Sequence, residues 1–165
     1  MSTLRRAALL LAASGCLGSD GTPDHGTPHL CTLIGGEDGL YVRVDVNGGK
    51  LPPGDYTFVA RVGDVEVTAD GTMTPEGAFI NPGGEGIVDG KHLSLGGALY
   101  ADFGRIEVHL LEGPGPAMVT LGVRHDGVTL GEQDYAPKYS AFYPNGEDCG
   151  PELHQAHGSL VVAAP

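Results

Sequence analysis

From Leu40 onward the apolar residues recur at every second position, and that period decides what the chain can fold into. Leu40, Val42, Val44 and Val46 alternate with Tyr41, Arg43 and Asp45. Side chains two apart share one face of an extended strand, so this spacing predicts a half-buried strand rather than a helix. Ile106, Val108 and Leu110 alternate with Arg105, Glu107 and His109 in the same way. Asp55 to Val62, Val65 to Thr68, Val119 to Val123 and Ser159 to Ala163 read as further strands. Beyond the first fifteen residues no segment keeps a 3.6-residue apolar stripe.

The punctuation between these runs agrees with that assignment. The chain has 28 Gly and 12 Pro, close to a quarter of its residues. A share that high approaches the composition of disordered chains. Here, however, the Gly and Pro residues separate strand-like runs instead of forming a tract. Gly63-Asp64 and Asp126-Gly127 are two-residue hairpin turns. Between the two regions, 78–80, 86–88, 91–95 and 98–103 are short strand candidates, with turns expected at Asn81-Pro82-Gly83-Gly84 and Asp89-Gly90. Residues 40–68 and 105–130 follow one grammar and read as two similar three-strand meanders. Many short strands at regular spacing predict an all-β sandwich or barrel over residues 31–165. Its expected core includes Val42, Val44, Phe58, Val62, Ile106, Val108, Val119, Leu121 and Leu160.

Leu51-Pro52-Pro53-Gly54-Asp55-Tyr56-Thr57 resembles the leu-pro-x-gly-x-tyr approach to a strand in immunoglobulin-like modules of exported bacterial proteins. The resemblance implies an immunoglobulin-like antiparallel β-sandwich. The buried Trp of antibody domains has no counterpart, because the chain has no Trp.

The first residues bear on location. Arg5 and Arg6 precede the apolar run Ala7 to Ala13, then Ser14, Gly15 and Cys16. Basic residues, a short apolar stretch and small residues are the layout of an export signal, and the stretch is too short to span a membrane. The segment resembles the precursor of bacterial lipoproteins. That resemblance implies cleavage of residues 1–15, acylation of the Cys16 thiol and anchoring through a lipid with palmitate-type chains. Leu17 follows the cysteine, where an Asp in that family favours the inner membrane, so the implied address is the outer membrane, facing periplasm or exterior. Two other readings stand beside it: cleavage after Ser14 that leaves Cys16 an unmodified thiol, or an uncleaved N-terminus of a cytosolic protein. Residues 16–30, with Thr22-Pro23 and Thr27-Pro28, read as a flexible tether.

Charge narrows the partners. The chain is formally −12, and loss of Arg5 and Arg6 takes it to −14. Such a surface repels nucleic acid and anionic lipid. If Cys16 carries lipid, Cys31 and Cys149 remain, and in an oxidising compartment they are expected to pair. In the chain-entropy account a loop that long contributes about 4–5 kcal/mol. There is no Cys-x-x-Cys for redox work and no four-ligand zinc spacing.

Chemistry-bearing patterns are sparse. None of Ser94, Ser140 and Ser159 lies in Gly-x-Ser-x-Gly, and Ser-x-x-Lys is missing. The turns at 36–39 and 45–48 lack the twelve-residue calcium-loop spacing. Seven histidines allow a zinc- or copper-binding alternative built on His154 and His157, three apart and near Cys149. Tyr135, Tyr139, Phe142 and Tyr143 form one aromatic cluster, read either as packing over the disulfide or as a recognition patch. The sequence therefore predicts a lipid-anchored, non-catalytic binding or structural domain. No cofactor is expected, and the partner would be a protein or glycan.

Overall fold

The computed structural model describes residues 36–75, 78–111, 113–147, 149 and 152–165, with the backbone alone at 78–82. The signal peptide (1–15), the tether (16–30), Cys16 and Cys31 lie outside the described residues. Ten strands follow one another: β1 Gly39–Asn47, β2 Gly54–Val62, β3 Val65–Met73, β4 Ala78–Val88, β5 Lys91–Tyr100, β6 Phe103–Leu110, β7 Val119–His125, β8 Val128–Tyr135, β9 Ser140–Phe142 and β10 Leu153–Ala163. They form a six-stranded sheet in the order β4-β5-β6-β1-β10-β9 and a four-stranded sheet in the order β3-β2-β7-β8. The two sheets pack face to face as a β-sandwich, the all-β class that the period of two predicts.

Alternation builds the core. Leu40, Val42 and Val44 of β1, Leu93, Leu95 and Leu99 of β5, and Ile106 and Val108 of β6 point inward from the larger sheet. Tyr56, Phe58 and Ala60 of β2, and Val119, Leu121 and Val123 of β7, meet them from the smaller one. Eight of the nine expected core residues are buried, and Val62 is partly buried against the same cluster. Fully burying one such side chain is worth about 1.5–3 kcal/mol.

One pairing departs from a purely antiparallel sandwich. β1 runs antiparallel to β6 but parallel to β10, with Val42 opposite Gly158 and Val44 opposite Leu160. Parallel pairing requires a long crossover, and here the rest of the domain supplies it.

The two similar sequence blocks occupy matching places. β1 pairs with β6 in the larger sheet and β2 pairs with β7 in the smaller. They are not meanders within one sheet, because the chain crosses between sheets from β1 to β2 and from β6 to β7. The stretch expected to turn at Asn81-Pro82-Gly83-Gly84 continues as one strand, with a register shift between Asn81 and Gly84. Glycine at a bulge and glycine at a turn look alike in sequence. Residues 91–95 and 98–100 likewise join into β5 through Gly96 and Gly97, and the chain turns at 101–102 instead. Val128, which follows the Asp126-Gly127 turn, is 66% exposed, and a register shift at Val123/Arg124 lies beside it.

The approach to β2 is held by a tyrosine corner, in which a buried Tyr hydroxyl bonds backbone a few residues upstream. Tyr56 is buried, and its hydroxyl donates to the Pro52 carbonyl at 2.7 Å. The N–H of buried Leu51 donates to the Ala101 carbonyl at 2.7 Å. Gly54 has φ +149°, and a Cβ there would sit 2.5 Å from His125 Nε2. The His125 ring lies 4.6 Å from that of Tyr56. Tyr56→Phe keeps the ring and orphans the Pro52 carbonyl. It is expected to lower unfolding free energy by about 1 kcal/mol in urea denaturation, with an unchanged m-value.

Candidate functional site

The two outer faces of the sandwich differ in kind. On the smaller sheet several polar side chains pair with one another. Thr57 donates to Asp70 at 2.6 Å, Thr72 to Asp55 at 2.7 Å and Thr120 to Asp134 at 2.6 Å. Arg61 bonds Glu132, and Arg124 lies 3.5 Å from Glu66. This is a solvated polar lattice.

The outer face of the larger sheet instead carries rings and arginines in rows set by strand register. One row crosses from Gly96 on β5 through Glu107 on β6 and Tyr41 on β1 to His157 on β10. The next runs Ala98, Arg105, Arg43, Ser159. The third has Phe103, Asp45 and Val161, with Tyr100 beside Phe103. Arg43 and Arg105 thus stand directly opposite each other, between one row with Tyr41 and His157 and another with Tyr100 and Phe103.

The rings are positioned by contacts on the same face. Tyr41 stacks on His157 with centroids 5.8 Å apart and meets His109 edge-on at 5.5 Å. Its hydroxyl donates to the Glu37 carbonyl at 3.0 Å. Burial first, and then the Glu107 and Glu37 carboxylates, raise its pKa above the ordinary tyrosine value. Tyr100 and Phe103 stack at 4.6 Å, and Phe103 is 48% exposed. Arg43 Nε lies 2.6 Å from Asp45, and Arg105 bonds Glu107. His109 Nδ1 sits 2.6 Å from the Asp38 carbonyl.

Two shallow recesses meet at Arg105. One, of 380 Å³, is lined by Tyr41, Arg43, Phe103, Gly104, Arg105, His157 and Gly158. The other, of 490 Å³, runs over β5 past Ser94, Gly96, Tyr100, Glu107 and His109. A Cβ at Gly96 would meet nothing within 4 Å, so glycine there leaves the trough open. Flat apolar rings beside cationic and hydroxyl-accepting groups suit binding and orientation of a polar ligand.

Of the sequence-predicted residues that are described, His157 lies on this face and the others fall elsewhere on the fold. Tyr135 is partly buried, its hydroxyl donating to the Ser159 carbonyl at 2.8 Å. Tyr139 is also partly buried, and its hydroxyl donates to the Pro116 carbonyl at 3.0 Å. Phe142 on β9 is 46% exposed, and the Tyr143 hydroxyl bonds Glu152 at 2.9 Å. Two of the four therefore serve packing and two remain at the sheet edge. His157 belongs to the ring row. His154 lies 3.2 Å from Glu152, and its backbone N–H donates to Asp38. Residues three apart in a strand point to opposite faces, so the two histidines do not converge. Among the described residues no group of three or more His, Cys, Asp or Glu is placed to hold a metal ion. Cys149 donates its N–H to the Gly146 carbonyl at 3.0 Å, and its expected partner Cys31 lies outside the described residues. Tyr41, Tyr100, Phe103, Arg43 and Arg105 were not singled out by sequence. Alternation alone pairs Tyr41 with Arg43 and Phe103 with Arg105, and strand register brings the two pairs and Tyr100 onto one face.

Burial divides the tyrosines. The pKa values of Tyr56, Tyr135 and Tyr139 are each pushed up to about 12, chiefly because burial disfavours the phenolate. A phenol whose folded pKa lies above its unfolded value of about 10 stabilises the fold fully below that value and loses this contribution as pH rises through the folded pKa. Absorbance at 295 nm should show these three ionising late, near pH 12, while urea midpoints fall between about pH 10 and 12. No protein family, curated protein or solved structure matches the chain.

Proposed function

We propose that this chain is a lipid-anchored protein of the bacterial cell envelope whose β-sandwich is a non-catalytic binding domain. The observation that carries the binding role is the uncovered face of the larger sheet. Phe103 and Val161 stay exposed there, at 48% and 57%, beside two arginines and two recesses. Exposed ring surface beside cationic side chains and a recess suits binding of a ligand with apolar and polar faces. The anchor rests on the Arg5-Arg6, apolar and Ser14-Gly15-Cys16 layout of the N-terminus. In this reading Cys16 carries the acyl chains, and Cys31 and Cys149 form a disulfide in an oxidising compartment.

Two measurements test the two halves. Cells fed labelled palmitate should incorporate it into the wild-type chain. Cys16→Ala should abolish the label and shift the protein from the membrane fraction to the soluble fraction. An unlabelled wild type, soluble at full length, overturns the anchor. For the binding half, immobilised full-length protein should retain washed envelope fragments, and Phe103→Ser should lose most of that retention with an unchanged melting temperature. Equal retention by the variant removes this face from the function.

A further inference from the structure

The arginine row says what kind of molecule the face takes. Like charges directly opposite each other on an antiparallel pair destabilise it, yet Arg43 and Arg105 are cross-strand partners in the middle of the larger sheet. The chain as a whole is strongly acidic, with 21 Asp and Glu against nine Lys and Arg. Even so, the recess at these arginines is lined by two guanidinium groups and His157 and by no carboxylate. Asp45 and Glu107 each neutralise one arginine from the same strand, but both sit one row away, at the two ends of the arginine pair. Each guanidinium has five N–H donors, and one carboxylate engages at most two of them. The arginine side chains are 73% and 65% exposed, so the remaining donors face outward.

Resting on the binding role proposed above, we infer that this face binds an acidic polysaccharide of the uronate type, with a sugar carboxylate held between Arg43 and Arg105. The rings on either side supply the rest of the fit. Tyr41 and Phe103 belong to rows four residues apart along the strands, a distance of about 13 Å, the span of a short oligosaccharide. Their faces match the apolar faces of sugar rings. Glu107 and Ser94 accept sugar hydroxyls along the trough. Asp45 and Glu107, one on each side of the arginine row, disfavour a doubly charged phosphate ester relative to a hydroxyl-rich chain with one charge per sugar. A bound carboxylate also relieves the repulsion between the two arginines.

Calorimetric titration of the full-length protein in detergent tests this, using oligogalacturonate and its methyl ester, which keeps the sugar and loses the charge. The acid should bind saturably, and the ester at least tenfold more weakly. Arg43→Gln and Arg105→Gln should each weaken acid binding at least tenfold without lowering the melting temperature. Equal binding of acid and ester, no saturable uptake of the acid, or arginine variants that bind like wild type overturn the inference. Equally effective competition by poly-glutamate also overturns it, by showing a surface that senses charge alone. If envelope fragments are still retained in a Phe103-dependent way while oligogalacturonate fails, the binding role stands and only the ligand class falls.

Discussion

The pairing of β1 with β10 is the constraint on which the rest of the molecule depends. β1 sits inside the larger sheet, with β6 on one side and the last strand on the other. Its inner residues Leu40, Val42 and Val44 are buried, and both of its hydrogen-bonding edges are used over most of its length. The neighbour in β10 lies more than a hundred residues away, so the closure entropy of nearly the whole domain is lost before that pair forms. The fit at the junction is close. Gly158 has no side chain because a Cβ there would lie 2.8 Å from the Tyr135 ring and 3.4 Å from Val42. Tyr135 then bonds the Ser159 carbonyl, fixing β10 from the other sheet.

With the interior closed this way, the two outer faces are left to different uses. The smaller sheet spends its polar side chains on each other, in Thr–Asp and Arg–Glu pairs that contribute little stability singly but leave few groups for a ligand. The larger sheet stacks rings in pairs and sets two cations opposite each other. The difference comes from which residues alternate outward on β1, β5, β6 and β10, while the inward residues of all four remain ordinary core.

Much of the interior was legible in sequence, because burial imposes a period of two and that period is local. Leu40 to Val46 and Ile106 to Leu110 show it without help from any partner. Strand joins were less legible. Gly83-Gly84 and Gly96-Gly97 carry the same residues a turn would, and only pairing across β4, β5 and β6 keeps them within strands. β9 has three residues and no period at all. The outer face of the larger sheet was less legible for a related reason. Phe103 and Arg105 share a face of β6 by alternation, as Tyr41 and Arg43 do on β1, but the two strands come together only through register, which neither strand encodes. The aromatic cluster at 135–143 was conspicuous because it is contiguous, yet Tyr135 and Tyr139 turn toward the interior.

Glycines also govern the flanks of the sandwich. Gly84 and Gly86 let β4 press against Val67 and Thr68 of β3, and Gly131 lets β8 approach Val161 and Val162 of β10. Both lateral seams are thereby drawn nearly shut, leaving the three-residue β9 at the margin of the larger sheet. Open sheet margins template the addition of foreign strands and lead to polymerisation. Packing of β4 against β3 and of β8 against β10 covers most of these margins and leaves little backbone for such growth.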